Sequence, residues 1–160
     1  MDLQNLIQVV ETALVNMNFD LSSVREPKEG QWTLKHTGAT VWVDVFNFPT
    51  TPDSYYFRLI SPLLAVPDKR KENFYEDVLE LNHQTCDCAI TKSKEWTYVT
   101  SYQGANDLTP EKAKALMDRL VFYSNDYYNK LEFKYRDCWL PKASIPGGET
   151  IDKTNFKLFE

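Results

Sequence analysis

A change of hydrophobic period within residues 74–91, near the middle of the 160-residue chain, constrains the fold more than any other feature. The first part of this segment has the spacing of three and four that predicts one face of a helix, and its members are Phe74, Tyr75, Val78, Leu79 and Asn82. The period then becomes two, which predicts a strand over residues 85–91 with Cys86, Cys88 and Ile90 on one face. The segment therefore joins a helix to a strand through a short break, and the two halves of the fold meet there.

The rest of the chain supplies strands before this joint, and a hairpin and a long helix after it. The predicted elements are a helix over 3–17, strands over 30–35, 39–48 and 54–61, a helix over 69–83 capped by Asp68, strands over 85–91 and 95–102, and a helix that begins at Pro110 after an N-cap at Thr109 and reaches Leu131. Because short links join the first three strands, they are expected to pair as an antiparallel meander. The predicted fold class is therefore α+β, an antiparallel five-stranded sheet with three helices in the order α-β-β-β-α-β-β-α.

The length of the chain suits one domain, which we expect to cover residues 1–131. Residues 132–160 are expected to form an irregular C-terminal extension. The reason is that two prolines and the Gly147-Gly148 pair interrupt any regular element there.

Charge and composition argue against several classes of partner. The net charge is −5, and the sequence lacks the basic stripe that is typical of nucleic-acid binders or of proteins that bind anionic membranes. Its apolar runs are all well short of the roughly 20 residues that a membrane span needs. The N-terminal stretch does not resemble a secretion signal, and three cysteines in such a chain suggest free thiols in a reducing compartment. We therefore expect a cytoplasmic protein without nucleic-acid or membrane partners.

An aromatic strand face is the best candidate binding surface. Over residues 39–48, one face is β-branched and suits the core, whereas the other carries large aromatic side chains. Trp, Tyr and Arg are enriched at the energetic centres of protein interfaces. The candidate residues are Trp42, Phe46, Phe48, Tyr56 and Arg58. The alternative is that the long third helix or the C-terminal extension covers this face.

A second constellation lies at the joint itself. His83, Cys86 and Cys88 are zinc-ligand types, and Cys138 could complete a set of four. However, two cysteines separated by one residue on a strand project in parallel, and free cysteine often behaves as a small buried hydrophobe. Core cysteines are the favoured interpretation, with a metal or thiol sensor as the alternative. For Asn82 we favour a buried amide that satisfies the helix end or the turn.

The order of the elements resembles the YbjN-like family of bacterial proteins, also called sensory-transduction regulators, and the type III secretion chaperones that share its fold. The matching residues lie between positions 3 and 131 and comprise Val41-Trp42-Val43-Asp44-Val45, Ser61-Pro62-Leu63, Leu79-Glu80-Leu81-Asn82 and Asn125-Asp126-Tyr127. The sequence departs from the pattern at Lys92-Ser93-Lys94-Glu95, which lacks a glycine, and at Cys86-Asp87-Cys88.

The resemblance implies a homodimeric protein that is not an enzyme, needs no cofactor or metal, and binds an extended segment of a partner protein. In this interpretation residues 1–131 are a single chaperone-like α+β domain. The alternative from another class is an enzyme or small-ligand binder with its site between the sheet and the third helix. The thiol or metal sensor at His83, Cys86 and Cys88 stays open as a third hypothesis.

Overall fold

The computed structural model describes residues 2–139. Its helices are α1 (Leu3–Asn16), α2 (Leu21–Val24), α3 (Lys71–His83) and α4 (Pro110–Tyr135), and its strands are β1 (Gln31–His36), β2 (Ala39–Phe48), β3 (Thr51–Ala65), β4 (Ala89–Ser93) and β5 (Trp96–Gly104). The strands form one antiparallel sheet in the order β1-β2-β3-β5-β4, so β1 and β4 are its edges. The predicted α+β class and five-stranded sheet are confirmed. The one-turn helix α2 is additional, in a segment predicted to be a connection.

The β-branched face of β2 packs into the core, as predicted. Val41 and Val43 are fully buried there. They join one hydrophobic cluster with the apolar stripes of α1 and α4, which include Leu6, Leu14 and Leu120. The two long helices therefore cover this side of the sheet, and the alternate residues of β2 point to the other side.

Strand β3 extends beyond the predicted end at Ser61 because a bulge accommodates its proline. The register shifts between Pro62 and Ala65, where β3 pairs with β5, and proline is tolerated in a sheet at such irregularities. The hydroxyl of Thr97 replaces the missing ladder bonds. It donates to the carbonyl oxygen of Leu64 at 2.7 Å and accepts from the Leu64 N–H at 3.3 Å.

Helix α3 begins two residues later than predicted, and Asp68 is not its cap. The N-cap position belongs to Arg70, whose φ of 58° is left-handed and whose side chain makes no capping hydrogen bond. The preceding segment is held by its main chain instead, since the Lys69 N–H donates to the carbonyl oxygen of Cys138 at 3.1 Å. A tertiary contact with the residues after α4 thus overrides the local capping signal.

The predicted strand over 85–91 is wrong in its first half. The chain bends at Cys86 and Asp87, Asp87 has a left-handed φ of 57°, and β4 begins only at Ala89. The cysteines therefore do not share a core face. Cys86 is exposed, Cys88 is half-buried, and only Cys138 lies in the core.

Helix α4 has the predicted N-terminus. The side chain of Thr109 accepts from the Lys112 N–H at 3.3 Å, and Pro110 occupies the first turn. The helix continues to Tyr135, four residues past the predicted end, because that tyrosine is fully buried against the Phe74 ring, with ring centroids 5.2 Å apart. Its 26 residues span about 39 Å across the sheet.

Candidate functional site

Three of the predicted aromatic residues form one ring cluster on the sheet side opposite α1 and α4. Phe46 stacks on Tyr56 with centroids 5.8 Å apart, and Phe48 meets both rings edge-on, at 5.1 Å from Phe46 and 5.0 Å from Tyr56. The register pairs Phe46 directly with Tyr56, which places both side chains on the same face. All three side chains are half-buried, so each presents part of its ring outward.

Arg58, the fourth member, is locked in a buried ion pair. Its Nε donates to Asp44 Oδ1 at 2.7 Å, and its Nη2 contacts the other carboxylate oxygen. Both residues are less than one-tenth exposed. Burial opposes the charge of Arg58, but the hydrogen bond and the attraction of Asp44 outweigh it and raise the pKa of the guanidinium. The paired arginine explains how an aspartate can be buried on this face.

Tyr102 completes the cluster and was not among the predicted site residues. It lies opposite Arg58 in the β3–β5 pairing, and its ring is 6.4 Å from that of Phe46. The Arg58 guanidinium lies 4.8 Å from the Phe46 centroid and 5.9 Å from that of Tyr102, within the range of cation–π attraction. Only the strand order could have identified Tyr102, because it lies more than forty residues after its partner Arg58 in sequence.

Trp42 lies at the other end of this surface and lines a small cavity. The cavity has a volume of about 90 Å³ and is also bordered by Thr33, Asp44, Arg58 and Ile60. That volume exceeds what a single water requires. We call the surface formed by Trp42, Asp44, Phe46, Phe48, Tyr56, Arg58 and Tyr102 the aromatic face.

Helix α4 does not cover the aromatic face. Its buried residues belong to the core cluster on the opposite side of the sheet, a cluster that includes none of the seven residues of the aromatic face. The alternative was cover by the C-terminal extension over 132–160, of which residues 140–160 lie outside the described range of 2–139.

The main-chain edges of the sheet are partly occupied. At β4, the Asn82 side chain donates to the carbonyl oxygen of Ile90 at 3.1 Å, and the Ile90 N–H donates back to Asn82 Oδ1 at 2.6 Å. This single amide replaces a neighbouring strand, so Asn82 has a structural role, but it is half-buried and bonds to β4 instead of the helix end or the turn. At β1, the Glu26 N–H donates to the carbonyl oxygen of Gln31 at 2.9 Å. The two edges are therefore poorly suited to adding another strand there.

The alternative of an enzyme or small-ligand binder places its site between the sheet and the third predicted helix, which is α4. The structure has a cleft of about 550 Å³ at the start of α4. Three of the four charged side chains that line it are engaged with their neighbours. Arg119 forms an ion pair with Asp87, and Lys112 Nζ donates to the carbonyl oxygen of Asp107 at 2.9 Å. These three side chains are therefore held by neighbouring groups and do not converge on a reacting position.

The proposed sensor residues do not form a metal cage. His83 and Cys86 are exposed, while Cys88 is half-buried. Within residues 2–139, no group of three His, Cys, Asp or Glu side chains is arranged to hold a metal ion. Over the same range, none of the helices combines the length and apolar character that a membrane crossing requires.

The fold is that of the type III secretion chaperones. A chain in the structure of the ExsC–ExsE complex superimposes with a TM-score of 0.63 at 14% identity, covering 82% of this chain and 97% of that one. A chain in the HopA1–SchA chaperone–effector complex gives 0.59 at 10% identity, with 81% and 98% covered. A chain in the structure of the Yersinia pestis type III secretion chaperone SycH in complex with a stable fragment of YscM2 gives 0.57 at 10% identity, with 76% and 98% covered.

Comparison of the sequence with known families and proteins does not assign this chain to a family. No family model matches the chain, and no curated protein matches it. The resemblance to the YbjN-like family therefore stays a prediction, whereas the chaperone fold rests on the structural neighbours.

Proposed function

We propose that this protein is a non-catalytic, cytoplasmic binding module that holds an extended segment of a partner protein on the aromatic face, in the manner of a chaperone. The observation that carries the proposal is the ring cluster of Phe46, Phe48 and Tyr56, which the long helices leave uncovered. Partly exposed aromatic rings around a buried arginine have the composition of interface hot spots.

The structural neighbours support the same class of function. Their structures include a chaperone–effector complex and a secretion chaperone bound to a fragment of another protein. At 10% identity these proteins share the fold with this chain. That this chain also uses the fold to bind another protein is our proposal, and we describe the partner only by the chemistry of the segment that the aromatic face would bind.

The aromatic face suits a partner segment with apolar side chains. The Asp44–Arg58 pair fixes the guanidinium beneath the rings of Phe46 and Tyr102, so the surface is organised before a partner arrives. Pre-organisation reduces the conformational entropy that binding must offset. Because Asn82 and Glu26 occupy main-chain groups at the edges, side-chain contacts on the face would supply most of the affinity.

We further propose that the protein is a homodimer through α3. Tyr75 and Leu79 lie one helical turn apart and are both exposed, Leu79 to 68%. The two side chains are neighbours on one face of the helix, and contact between two copies there would remove both of them from water. Light scattering should give the mass of two chains for the wild type and of one chain for Leu79→Glu. A wild-type protein that stays monomeric at high concentration would contradict the dimer.

The experiment that tests the proposed function is affinity capture from the source cytoplasm, with the captured proteins identified by mass spectrometry. Wild-type protein is compared with a double variant of the aromatic face, Phe46→Ala with Tyr56→Ala. The matched control is Phe133→Ala, which removes an aromatic ring that is 74% exposed on α4, away from the aromatic face. A partner retained by the wild type and the control but lost by the double variant supports the proposal. Equal retention by all three would refute it.

A further inference from the structure

Two thiols at the joint between α3 and β4 have no part in the proposed binding function. Cys86 is exposed and Cys88 is half-buried. They flank Asp87, whose φ of 57° lies in the left-handed region, and the chain bends at Cys86 and Asp87. The pair therefore lies on a turn and not on the regular strand that the sequence pattern predicts.

The bend at Asp87 brings Cys86 and Cys88 closer together than an extended strand would. A disulfide joins Cα atoms about 4.4–6.8 Å apart. In an extended strand, residues two apart are separated by roughly 6.6 Å, close to the upper limit of that range. A bend through a left-handed residue shortens this separation, so the observed backbone favours a bridge between Cys86 and Cys88 more than a strand would.

The surroundings of the two thiols differ and suggest an order of reaction. The exposed Cys86 is open to a reagent in solution, and Arg119 Nη1 lies 4.0 Å from its sulfur. Part of that positive charge is neutralised by Asp87. At Cys88, burial and the nearby Cys86 raise the pKa of the thiol to about 11, and the Ser101 hydroxyl lowers it only in part. Cys86 is therefore the thiol that reacts first, and Cys88 is the thiol that closes the bridge.

We propose that Cys86 and Cys88 form a dithiol site that low-molecular-weight disulfides, such as oxidised glutathione, convert reversibly to an internal disulfide. The Cys86 thiolate attacks one sulfur of the reagent, forms a mixed disulfide and releases one glutathione thiolate. The Cys88 thiolate then attacks the Cys86 sulfur and releases the second. The protein loses two protons and two electrons, and the reagent is reduced to two thiols.

Formation of the disulfide should alter several hydrogen bonds at the joint between α3 and β4. The Cys86 N–H donates to the Tyr123 hydroxyl at 3.1 Å, and the Ser101 hydroxyl donates to the carbonyl oxygen of Asp87 at 2.7 Å. These bonds tie the turn to α4 and β5. Oxidation is therefore expected to alter the exchange of the Cys86 amide hydrogen without requiring any partner.

The test uses the full chain with Cys138→Ser, which removes the buried third thiol, treated with excess oxidised glutathione and followed by intact mass spectrometry. The expected product has lost the mass of two hydrogens, after a transient adduct of one glutathione. Adding Cys88→Ser should trap that adduct, and adding Cys86→Ser should slow the first reaction by at least about tenfold.

Two results would overturn the proposal. One is a stable glutathione on each cysteine, and the other is no loss of two hydrogens under conditions that oxidise an unstructured dithiol peptide. Peptide mapping of the oxidised wild-type protein gives the same answer if a variant folds poorly. Neither result bears on partner binding, which is tested separately.

Discussion

The hydrogen bonds of the Asn82 side chain lead to our most specific prediction, which concerns the free energy of unfolding. Asn82→Ala removes two hydrogen bonds, to the N–H and to the carbonyl oxygen of Ile90, at 2.6 and 3.1 Å. Each such bond contributes about 0.5–1.5 kcal/mol net, and an unpaired buried group costs more. Because Asn82 is only half-buried, water can replace part of the loss. We expect the free energy of unfolding to fall by about 2 kcal/mol, or Tm by roughly 4–8 °C.

The assay pairs urea unfolding with amide exchange, and Asn73→Ala is the control. Asn73 is exposed on the same helix, so the two variants share the gain in helix propensity of an Asn-to-Ala change. The Ile90 amide should exchange about thirtyfold faster in Asn82→Ala, and it should be unchanged in the control. Equal stability of the two variants, or an unaffected Ile90 amide, would refute the idea that this side chain replaces a strand.

Three further predictions can be checked by urea unfolding. Ser61→Ala should raise stability by about 0.5–1 kcal/mol, because the buried Ser61 hydroxyl has no hydrogen-bond partner among the described residues; a loss of stability would contradict this. Arg58→Met should cost about 3–5 kcal/mol by leaving Asp44 buried and unpaired, and adding Asp44→Leu should recover most of it; an additive second loss would count against the pair. The Arg25 hydrogen bond is the main cause of the lowered pKa of Glu11, so that carboxylate stabilises the protein above its ordinary pKa. Glu11→Gln should then cost less than about 1 kcal/mol at pH 7, since Arg25 is half exposed, and the difference should shrink as the pH falls below the ordinary pKa of a glutamate and the carboxylate becomes protonated; a difference that is unchanged at low pH would exclude the carboxylate as its cause.

Much of the fold was predictable because its signals are local. The alternation in β2 and the Thr109-Pro110 start of α4 are read directly from neighbouring residues, and both are confirmed. The predictions fail where contacts between residues far apart in sequence determine the bounds of an element. The Lys69 N–H bonds to Cys138 and delays α3, and the hydroxyl of Thr97 sustains the bulge at Leu64.

The candidate site was predictable only within one pair of adjacent strands. Phe46 and Tyr56 belong to strands that follow one another, so a meander already brings them together. Tyr102 joins them through the pairing of β3 with β5, which no local pattern reveals. The burial of Asp44 likewise depends on the register that places Arg58 directly opposite.

The joint at Phe74–Thr91 shows how one left-handed residue changes an interpretation. Period-two alternation suggested a strand through both cysteines, yet the bend at Asp87 turns Cys86 outward. The sequence alternates from residue 85 onward, but the chain adopts a strand only from Ala89.

The most direct test of the central claim is the dissociation constant of the captured partner segment, measured by titration calorimetry. For Phe46→Ala with Tyr56→Ala, we expect binding at least about tenfold weaker than for the wild type, with Phe133→Ala unchanged. Circular dichroism should show that all three proteins are folded. A double variant that binds as tightly as the wild type would contradict the claim that the aromatic face holds the partner.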